Sequence, residues 1–262
     1  MSENISHPAV IEMSAARIGA LRDTLFTVVE HVDWSVSSGE FWVVAGRQHS
    51  GKSDLLLHAG GLITPSRGSC RVFGCETKNF GEAQIAERLR IGFVFAGGNL
   101  FNQLTIAENV ALPLRYQRNY PLKEVAGVVE ELLELLELTP FADNTPSNLT
   151  VNWRQRAALA RALVLKPELL LLDNPLGGLD GRHRQWLMRF LEQLWSGHQY
   201  FGGRPMTLVV TADDLRVWQH PQWKYAMLDE KKFSVLGAWR EVAAARIPAV
   251  KELLAEPVET TI

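Results

Sequence analysis

The sequence predicts an α/β protein with a mainly parallel sheet covered by helices on both faces. Short apolar runs typical of buried strands recur at residues 41–45, 91–95, 169–172 and 207–211. Between them, apolar residues fall at three- and four-residue spacings, as in helices that pack on a sheet. A glycine-containing loop joins the first strand to the first of these helices, which is the usual order in parallel sheets.

The rest of the chain is organised around the loop from Gly46 to Ser53. Its pattern, G-x-x-x-x-G-K-S between a predicted strand and a predicted helix, is the P-loop motif in its required context. Backbone N–H groups of such a loop turn toward phosphate oxygens, and the helix N-terminus adds partial positive charge. We expect Gly46, Ser50 and Gly51 to shape this cradle. Lys52 is placed to reach the β- and γ-phosphates, and the Ser53 hydroxyl to ligate Mg²⁺.

Two residues make this loop unusual. His49 stands where a small residue would ease a cramped turn. Asp54 puts a carboxylate at the start of the helix, where it suits the helix dipole but lies close to the expected α-phosphate. The sequence therefore predicts a phosphate cradle with weak affinity for nucleotide. The alternative, an ordinary glycine-containing strand–helix turn, is disfavoured by the complete motif.

Composition limits the classes of function. The 262 residues are 47% hydrophobic, enough for a large core, and the net charge of −2 gives no general attraction to nucleic acid. Cys70 and Cys75 have no zinc-site companions, which predicts free thiols in a reducing compartment. The sequence shows no apolar run long enough to span a bilayer and no signal-peptide pattern at its polar start. We expect a cytosolic protein whose membrane link is a partner.

The remaining elements are predicted in chain order. Alternation predicts strands over residues 25–36, and turns at 37–40 and 64–68 flank the P-loop unit and a short strand at 69–73. Glutamates between the apolar positions of residues 105–138 indicate a helical insertion with a solvated face. Further helices are predicted at 154–165, 182–195 and 242–254.

The second half of the chain resembles ATP-binding cassette (ABC) proteins. Residues 169–173, four leucines and an aspartate, resemble a Walker B strand, and residues 173–180 resemble its continuation into the D-loop. Residues 146–163 resemble the signature region of the family. The match runs from about residue 28 to residue 235 with the family's order and spacing.

The resemblance implies a P-loop cassette with a mainly parallel sheet, an antiparallel β subdomain and an α-helical subdomain. Residues 1–262 would form one nucleotide-binding domain, with a core and β subdomain at about 25–95 and 165–240 and a helical subdomain at about 96–165. ATP and Mg²⁺ are the implied cofactors, with Ser53 and Asp173 as metal contacts. The family pairs head to tail, so that each nucleotide lies between the Walker A of one subunit and the signature of the other. A membrane permease docks beside the Q-loop and holds the subunit at the cytoplasmic face of the inner membrane.

Within the family, residues 95–101 and 108–115 are similar to the ATPase of Mce-type, Mla-like lipid transporters. Residues 59–63 and 246–250 show the same similarity. This resemblance implies lipid transport.

The chain departs from the family at four kinds of catalytic position. Ala96 stands at the Q-loop glutamine, Asn174 at the catalytic glutamate and Ala212 at the switch histidine. In the signature, Val151 and Asn152 replace two glycines. Asparagine cannot accept a proton from the attacking water, and the two bulkier side chains obstruct the approach of backbone to phosphate. No catalytic residue is intact, and we expect ATP hydrolysis near background.

Three hypotheses follow. The first is a degenerate ABC nucleotide-binding subunit that gates or assembles a transport complex, as a non-hydrolysing homodimer or as a heterodimer with two impaired sites. The second is a working ABC ATPase that uses substitute residues. The third is a soluble regulatory protein that uses the fold only as a binding module.

The aromatic residues divide into predicted packing residues and open questions. Trp34, Trp42, Trp186 and Trp195 are expected to pack in or near the core. Phe26 is the candidate for an adenine-stacking ring. For four other tryptophans the sequence leaves two alternatives open, packing in the core or contact with another protein: Trp153, Trp218, Trp223 and Trp239.

Overall fold

The computed structural model describes residues 8–81, 84–118 and 121–255. The chain forms two compact units, one of residues 1–79 with 209–262 and one of residues 80–208. Both ends of the predicted domain, residues 1–7 and 256–262, lie outside the described residues.

The first unit contains a four-stranded antiparallel sheet. Its strands lie in the order β2 (Asp23–Ser37), β1 (Ala9–Ala20), β4 (Arg67–Val72) and β5 (Cys75–Glu76). Met13 of β1 pairs with Trp34 on one side and with Cys70 on the other. The strands predicted at 25–36 and 69–73 are therefore present, whereas β1 was not predicted.

The same unit holds the strand that leads into the P-loop. Strand β3 (Phe41–Gly46) is buried along its whole length and pairs in parallel with β9 (Lys224–Asp229), with Val44 opposite Ala226. Strand β10 (Lys232–Ala238) pairs antiparallel with β9. Three helices belong to this unit: α1 (Lys52–Ala59), α7 (Trp239–Ala244) and α8 (Pro248–Leu254).

The second unit combines a parallel strand pair with helices. Strand β6 (Ile91–Val94) pairs in parallel with β7 (Leu169–Leu172), and all four leucines of β7 are buried. Strand β8 (Thr207–Ala212), also buried throughout, begins in this unit and ends in the first. The helices are α2 (Ile85–Leu89), α3 (Ile106–Arg118), α4 (Leu122–Leu135), α5 (Val151–Leu163) and α6 (Gly181–Ser196).

The predicted fold class is confirmed, because parallel strand pairs, an antiparallel β sheet and a helical region are all present. Three helix boundaries differ from the prediction. The helical block 105–138 is two helices, and α4 begins directly after Pro121. The closing helix 242–254 is also two, because Pro248 disfavours helical backbone at Ile247 before it. Helix α5 begins at Val151, three residues earlier than predicted.

Aromatic side chains fill the core of the first unit. Phe41 stacks on Trp223 with ring centroids 4.0 Å apart, and Trp34 meets Trp42 edge to face at 5.6 Å. The packing predicted for Trp34 and Trp42 is confirmed, since each is 3% exposed. Trp218 and Trp223 are also buried, which assigns these two residues to the core.

The glutamates of the helical insertion lie at the surface as predicted. Glu130, Glu131 and Glu134 are exposed. Glu137 is exposed as well but accepts a 2.6 Å hydrogen bond from the buried guanidinium of Arg156. Within the described ranges, every helix is too short or too polar to cross a bilayer.

Candidate functional site

The P-loop forms a tight turn between β3 and α1. The N–H of Ser50 donates to the carbonyl of Arg47 at 3.2 Å, and Gly51 has φ +95° as the residue before the helix. His49 has φ +62° and an exposed side chain. The left-handed backbone at residue 49 does not require a small side chain in this structure, because the imidazole points into open surface.

Both motif glycines are required by close packing. A Cβ on Gly46 would lie 2.5 Å from the Ser50 Oγ and 2.7 Å from the Leu228 carbonyl oxygen. A Cβ on Gly51 would lie 2.3 Å from Val28 Cγ1. The Ser50 hydroxyl is buried and has no hydrogen-bond partner among the described residues. The two glycines therefore allow this turn to close, and the Ser50 hydroxyl beside it has capacity for a further hydrogen bond.

The motif lysine lies across its own loop. Lys52 Nζ donates to the carbonyl oxygens of Gly46 and Arg47, both at 2.6 Å, and the residue is 8% exposed. The ammonium group is therefore already within the loop where phosphate would bind. That Lys52 binds β- and γ-phosphates stays a prediction. Phosphate oxygens would compete for its ammonium group with the carbonyl oxygens of Gly46 and Arg47.

The Asp54 carboxylate has a structural partner that sequence reasoning missed. Its Oδ1 accepts a 2.9 Å hydrogen bond from the N–H of Leu21, in the turn between β1 and β2. That contact ties the start of α1 to the antiparallel sheet. The bond orients this carboxylate oxygen toward Leu21 without changing its charge, and the repulsion between Asp54 and an α-phosphate stays a prediction.

The two predicted magnesium contacts lie in different units. Ser53 is exposed in the first turn of α1. Asp173 follows β7 in the second unit, is 7% exposed, and donates its N–H to the Val94 carbonyl at 2.8 Å. In the described part of the chain, there is no group of three or more His, Cys, Asp or Glu side chains arranged to hold a metal. Each residue keeps an oxygen suited to Mg²⁺, and their coordination of it stays a prediction.

Asn174, which the resemblance places at the catalytic glutamate, shapes a turn. Its backbone is left-handed at φ +41°, a conformation that asparagine tolerates better than most residues. Its carbonyl accepts from the Gly177 N–H at 3.0 Å, and its side-chain amide lies so close that a Cβ on Gly177 would be 2.8 Å from Nδ2. An amide at this position gives local structure and no general base.

Ala96 lies in a loop that α5 holds in place. The guanidinium of Arg161 donates to the carbonyls of Gly98 at 3.1 Å and Asn99 at 3.0 Å. Burial lowers the pKa of Arg161 from its ordinary value. The Ala96 methyl is exposed and offers no ligand to metal or phosphate.

Ala212 occupies the position that the resemblance assigns to the switch histidine, and its methyl side chain offers no hydrogen bond. Ala212 ends β8 in the first unit and is 1% exposed. Two residues on, Asp214 is held by both ends of the Arg216 guanidinium, at 2.9 and 2.6 Å. Asp214 and Arg216, two charged residues shortly after β8, are thus paired with each other.

The first turn of α5 contains Val151 and Asn152, which the resemblance aligns with two signature glycines. Asn152 Nδ2 donates to Asp180 Oδ2 at 2.7 Å, and the Asp180 N–H donates to Asn152 Oδ1 at 3.2 Å. Asp180 also accepts from the His183 N–H at 2.9 Å and so caps α6. Sequence reasoning did not predict this cluster, because its members are 28 residues apart.

Two further surface features lie in separate units. Phe26, the candidate adenine-stacking ring, is 58% exposed on β2, and Lys231 Nζ lies 5.3 Å from its ring centroid. In the second unit, an open groove of about 430 Å³ lies beside Ala96. Apolar side chains and two arginines line it, among them Phe93, Phe95, Phe101, Pro113, Arg88 and Arg161. We call it the Phe95 groove.

Comparison with known proteins gives a consistent result. Residues 29–177 match the family model described as ABC transporter. The sulfate/thiosulfate import ATP-binding protein CysA of Synechococcus elongatus is 41% identical over 169 residues, 64% of this chain and 48% of that protein. The CysA of Bradyrhizobium diazoefficiens is 40% identical over 172 residues, 64% of this chain and 49% of that protein. The chain spans about half the length of the curated relatives it matches.

Solved structures agree in fold. The ATP-binding cassette MJ0796, in a dimeric post-hydrolysis state bound to ADP and Pi, superposes with a TM-score of 0.73 at 28% identity. That match covers 85% of this chain and 95% of the other. The names of the CysA relatives concern sulfate and thiosulfate, so the resemblance to lipid transporters gains no support from them.

Proposed function

The chain belongs to the ABC transporter family, and we propose that it is the nucleotide-binding subunit of a transport complex that binds ATP weakly and hydrolyses it poorly or not at all. The observation that carries this proposal is a contrast. The P-loop keeps a closed phosphate cradle with Lys52 inside it. The residues at the catalytic positions either lack functional groups or use them within the chain.

In this proposal, ATP binds with its phosphates against the backbone of residues 46–51. Lys52 exchanges its hydrogen bonds to the Gly46 and Arg47 carbonyls for bonds to phosphate oxygens. The buried Ser50 hydroxyl donates a hydrogen bond to a phosphate oxygen beside it. Ser53 and Asp173 are the proposed oxygen ligands of Mg²⁺, whose charge would offset that of the phosphates. Phe26 remains the proposed adenine-stacking ring.

Slow hydrolysis follows from what is missing. Loss of a general base alone lowers rates by about two to four orders of magnitude. Asn174 supplies no base, Ala96 no metal contact and Ala212 no hydrogen bond. These effects are not additive, because the residues would act as a unit, but they act in the same direction.

The proposed partner is an integral membrane permease, which would hold this subunit at the cytoplasmic face of the membrane. The Phe95 groove is the proposed docking surface, because it combines exposed aromatic area with a position beside Ala96 in the Q-loop place. We propose a dimer of such subunits, either of two identical chains or with a second ABC subunit. The names of the CysA relatives favour import of a small oxyanion over transport of a lipid.

The test is co-expression with a permease of the sulfate-import class from the same genome, followed by purification through a tag on the permease. We expect the chain to co-purify, to bind labelled ATP, and to release phosphate no faster than the same complex carrying Lys52→Ala. Steady phosphate release above that control would favour the alternative of a working ATPase. Failure to co-purify would favour a regulatory binding module.

A further inference from the structure

A small cavity lies between α5 and α6 in the second unit. The centre of a water-sized sphere can move in it over about 10 Å³, which is room for one ligand atom. Both apolar and polar residues line it, among them Leu179, Trp186, Leu187, Gln155, Arg156 and His183. Gln155 is 5% exposed and Arg156 is 4% exposed. A ligand held here would therefore be almost completely removed from solvent.

Two of the side chains that line the cavity each have a buried donor without a partner. Gln155 Nε2 and Arg156 Nε make no hydrogen bond to any residue that the structure describes. An unpaired donor away from water costs free energy, and the cost is greater for a group that carries charge. Because buried polar groups are normally satisfied, a cavity beside two such donors indicates a ligand that accepts from both.

The Arg156 guanidinium is held in place by contacts that do not use Nε. Its Nη1 donates to the Leu136 carbonyl at 3.3 Å and to the Glu137 carboxylate at 2.6 Å. Its planar faces lie against aromatic rings, 3.7 Å from the centroid of Trp186 and 4.8 Å from that of Trp153. Because guanidinium N–H groups lie in its plane, the Nε edge is what Arg156 offers to the cavity that it lines.

Two other polar residues of the lining are bonded to Asp180. The Asn152 amide donates to the Asp180 carboxylate at 2.7 Å and accepts from the Asp180 N–H at 3.2 Å. The His183 N–H donates to the same carboxylate at 2.9 Å, and the imidazole Nδ1 lies 2.9 Å from it. These groups already have partners, so the unpaired capacity that the lining offers to a ligand consists of the two donors.

A monoatomic anion suits two donors better than water does. A water molecule that accepts from Gln155 and Arg156 still has two hydrogens of its own to place, whereas a halide ion only accepts. Arg156 is always charged, which strengthens the bond that it donates to an anion. Arg182 adds a second positive charge nearby. The carboxylates of Glu137 and Asp180 offset these two cations, so an added anion meets no net negative charge.

We propose that this cavity is a chloride site, in which the ion accepts hydrogen bonds from Gln155 Nε2 and Arg156 Nε. Helix α5 supplies both donors, and α6 supplies Trp186 and Leu187, which help to enclose the ion. A bound chloride would therefore stabilise the packing of α5 on α6. The site goes beyond the proposed function, since it lies inside the second unit and requires neither ATP nor a permease.

The first test compares urea unfolding of the full chain in sodium chloride and in sodium gluconate, at equal ionic strength. A Kd of about 20 mM would raise the folding equilibrium constant about tenfold in roughly 0.2 M chloride. Gln155→Leu removes one donor, so its chloride effect should fall to about twofold or less. Gln193→Leu removes an exposed amide from α6 and should keep the tenfold effect. Equal chloride effects in these two variants, or none in the parent chain, would overturn the site.

The second test locates the ion and uses no variant, so it stands even if Gln155→Leu does not fold. Crystals of the chain are grown in sodium chloride and measured at an X-ray wavelength long enough for chlorine to scatter anomalously. We expect an anomalous peak in the cavity, in contact with Gln155 Nε2 and Arg156 Nε. Density without an anomalous signal would identify a water molecule, and an empty cavity would show that nothing binds. Either result contradicts a chloride site.

Discussion

The P-loop and the first turn of α5 are both segments that the family uses against phosphate, and they differ in what preserves them. The P-loop owes its shape to backbone conformation and to two glycines that nothing larger can replace. The first turn of α5 is helical although Val151 and Asn152 stand where the resemblance implies two glycines, and Asn152 is hydrogen-bonded to Asp180 of its own chain. A loop whose shape depends on its backbone tolerates the side chains of His49 and Asp54. A turn that needs glycines to expose its backbone loses that exposure once larger residues take their place.

The largest expected effect that tests this contrast is on Lys52. Lys52→Ala removes the cation that lies inside the cradle, and we expect ATP affinity to fall roughly 10- to 100-fold, as for loss of hydrogen bonds to a charged group. Calorimetric titration of MgATP measures it. Lys224→Ala, which removes an exposed lysine paired with Glu40, is the control for general loss of positive charge. Unchanged affinity in Lys52→Ala would mean that the P-loop is not the nucleotide site.

A smaller effect is expected at Asp54. Asp54→Asn removes the charge and keeps an oxygen that can accept from the Leu21 N–H. We expect ATP binding to strengthen by up to about tenfold, and by less if the Leu21 bond already turns the carboxylate away from the α-phosphate. Asp54→Thr removes both the charge and the planar oxygen that accepts from the Leu21 N–H. Comparing the two variants by calorimetry therefore separates the effect of the charge from that of the hydrogen bond to Leu21. Weaker binding in Asp54→Asn would contradict repulsion as the role of this residue.

The free energy of unfolding should depend on pH through His58, which lies in helix α1. Burial lowers the pKa of His58 from its ordinary 6.5 because the interior disfavours the imidazolium. As pH falls through about 6.5, the unfolded chain binds a proton that the folded chain does not, so the free energy of unfolding should fall by up to about 1.4 kcal/mol per pH unit. Urea unfolding at pH 7.5, 6.5 and 5.5 measures this, and His58→Gln should show a shallower decline. An identical pH dependence in the two proteins would contradict it.

The smallest expected effect is at Asn174. Asn174→Glu restores a carboxylate but leaves Ala96, Ala212 and the first turn of α5 unchanged, so phosphate release should stay within about twofold of the parent. Steady-state phosphate assays on the purified complex measure it, with Asn174→Asp as a shorter carboxylate for comparison. A rise of tenfold or more from Asn174→Glu alone would show that the remaining positions are catalytically sufficient.

Much of the fold could be predicted because its strands carry a strong local signal. The runs in β3, β7 and β8 are continuous and apolar, and each is buried along its whole length. Strand β10 was missed because an edge strand without a fully buried residue has no such pattern. The two helices after β10 were merged into one because apolar spacing outweighed Pro248 in the prediction.

The residues proposed for the candidate site could be named from the sequence, but their contacts could not. The motif named Lys52, Asp54 and Asn152, since each occupies a fixed place in a linear pattern. Their partners were hidden: Leu21 lies 33 residues from Asp54, and Asp180 lies 28 from Asn152. Such pairs depend on how strands and helices pack, and no local spacing encodes them.

The two carbonyl bonds of Lys52 make nucleotide binding a replacement rather than an addition. Without ATP, the ammonium is satisfied by Gly46 and Arg47 of its own loop. A phosphate that binds here would therefore compete with these two carbonyl oxygens for the ammonium group. The observed affinity would scale with the fraction of molecules in which Lys52 is not bonded to them. Each tenfold preference for the resident bonds weakens apparent affinity about tenfold without altering any contact in the bound state. A change that strengthens or weakens the bonds from Lys52 to the Gly46 and Arg47 carbonyls would consequently change how much nucleotide this loop binds, although the nucleotide does not take part in those bonds.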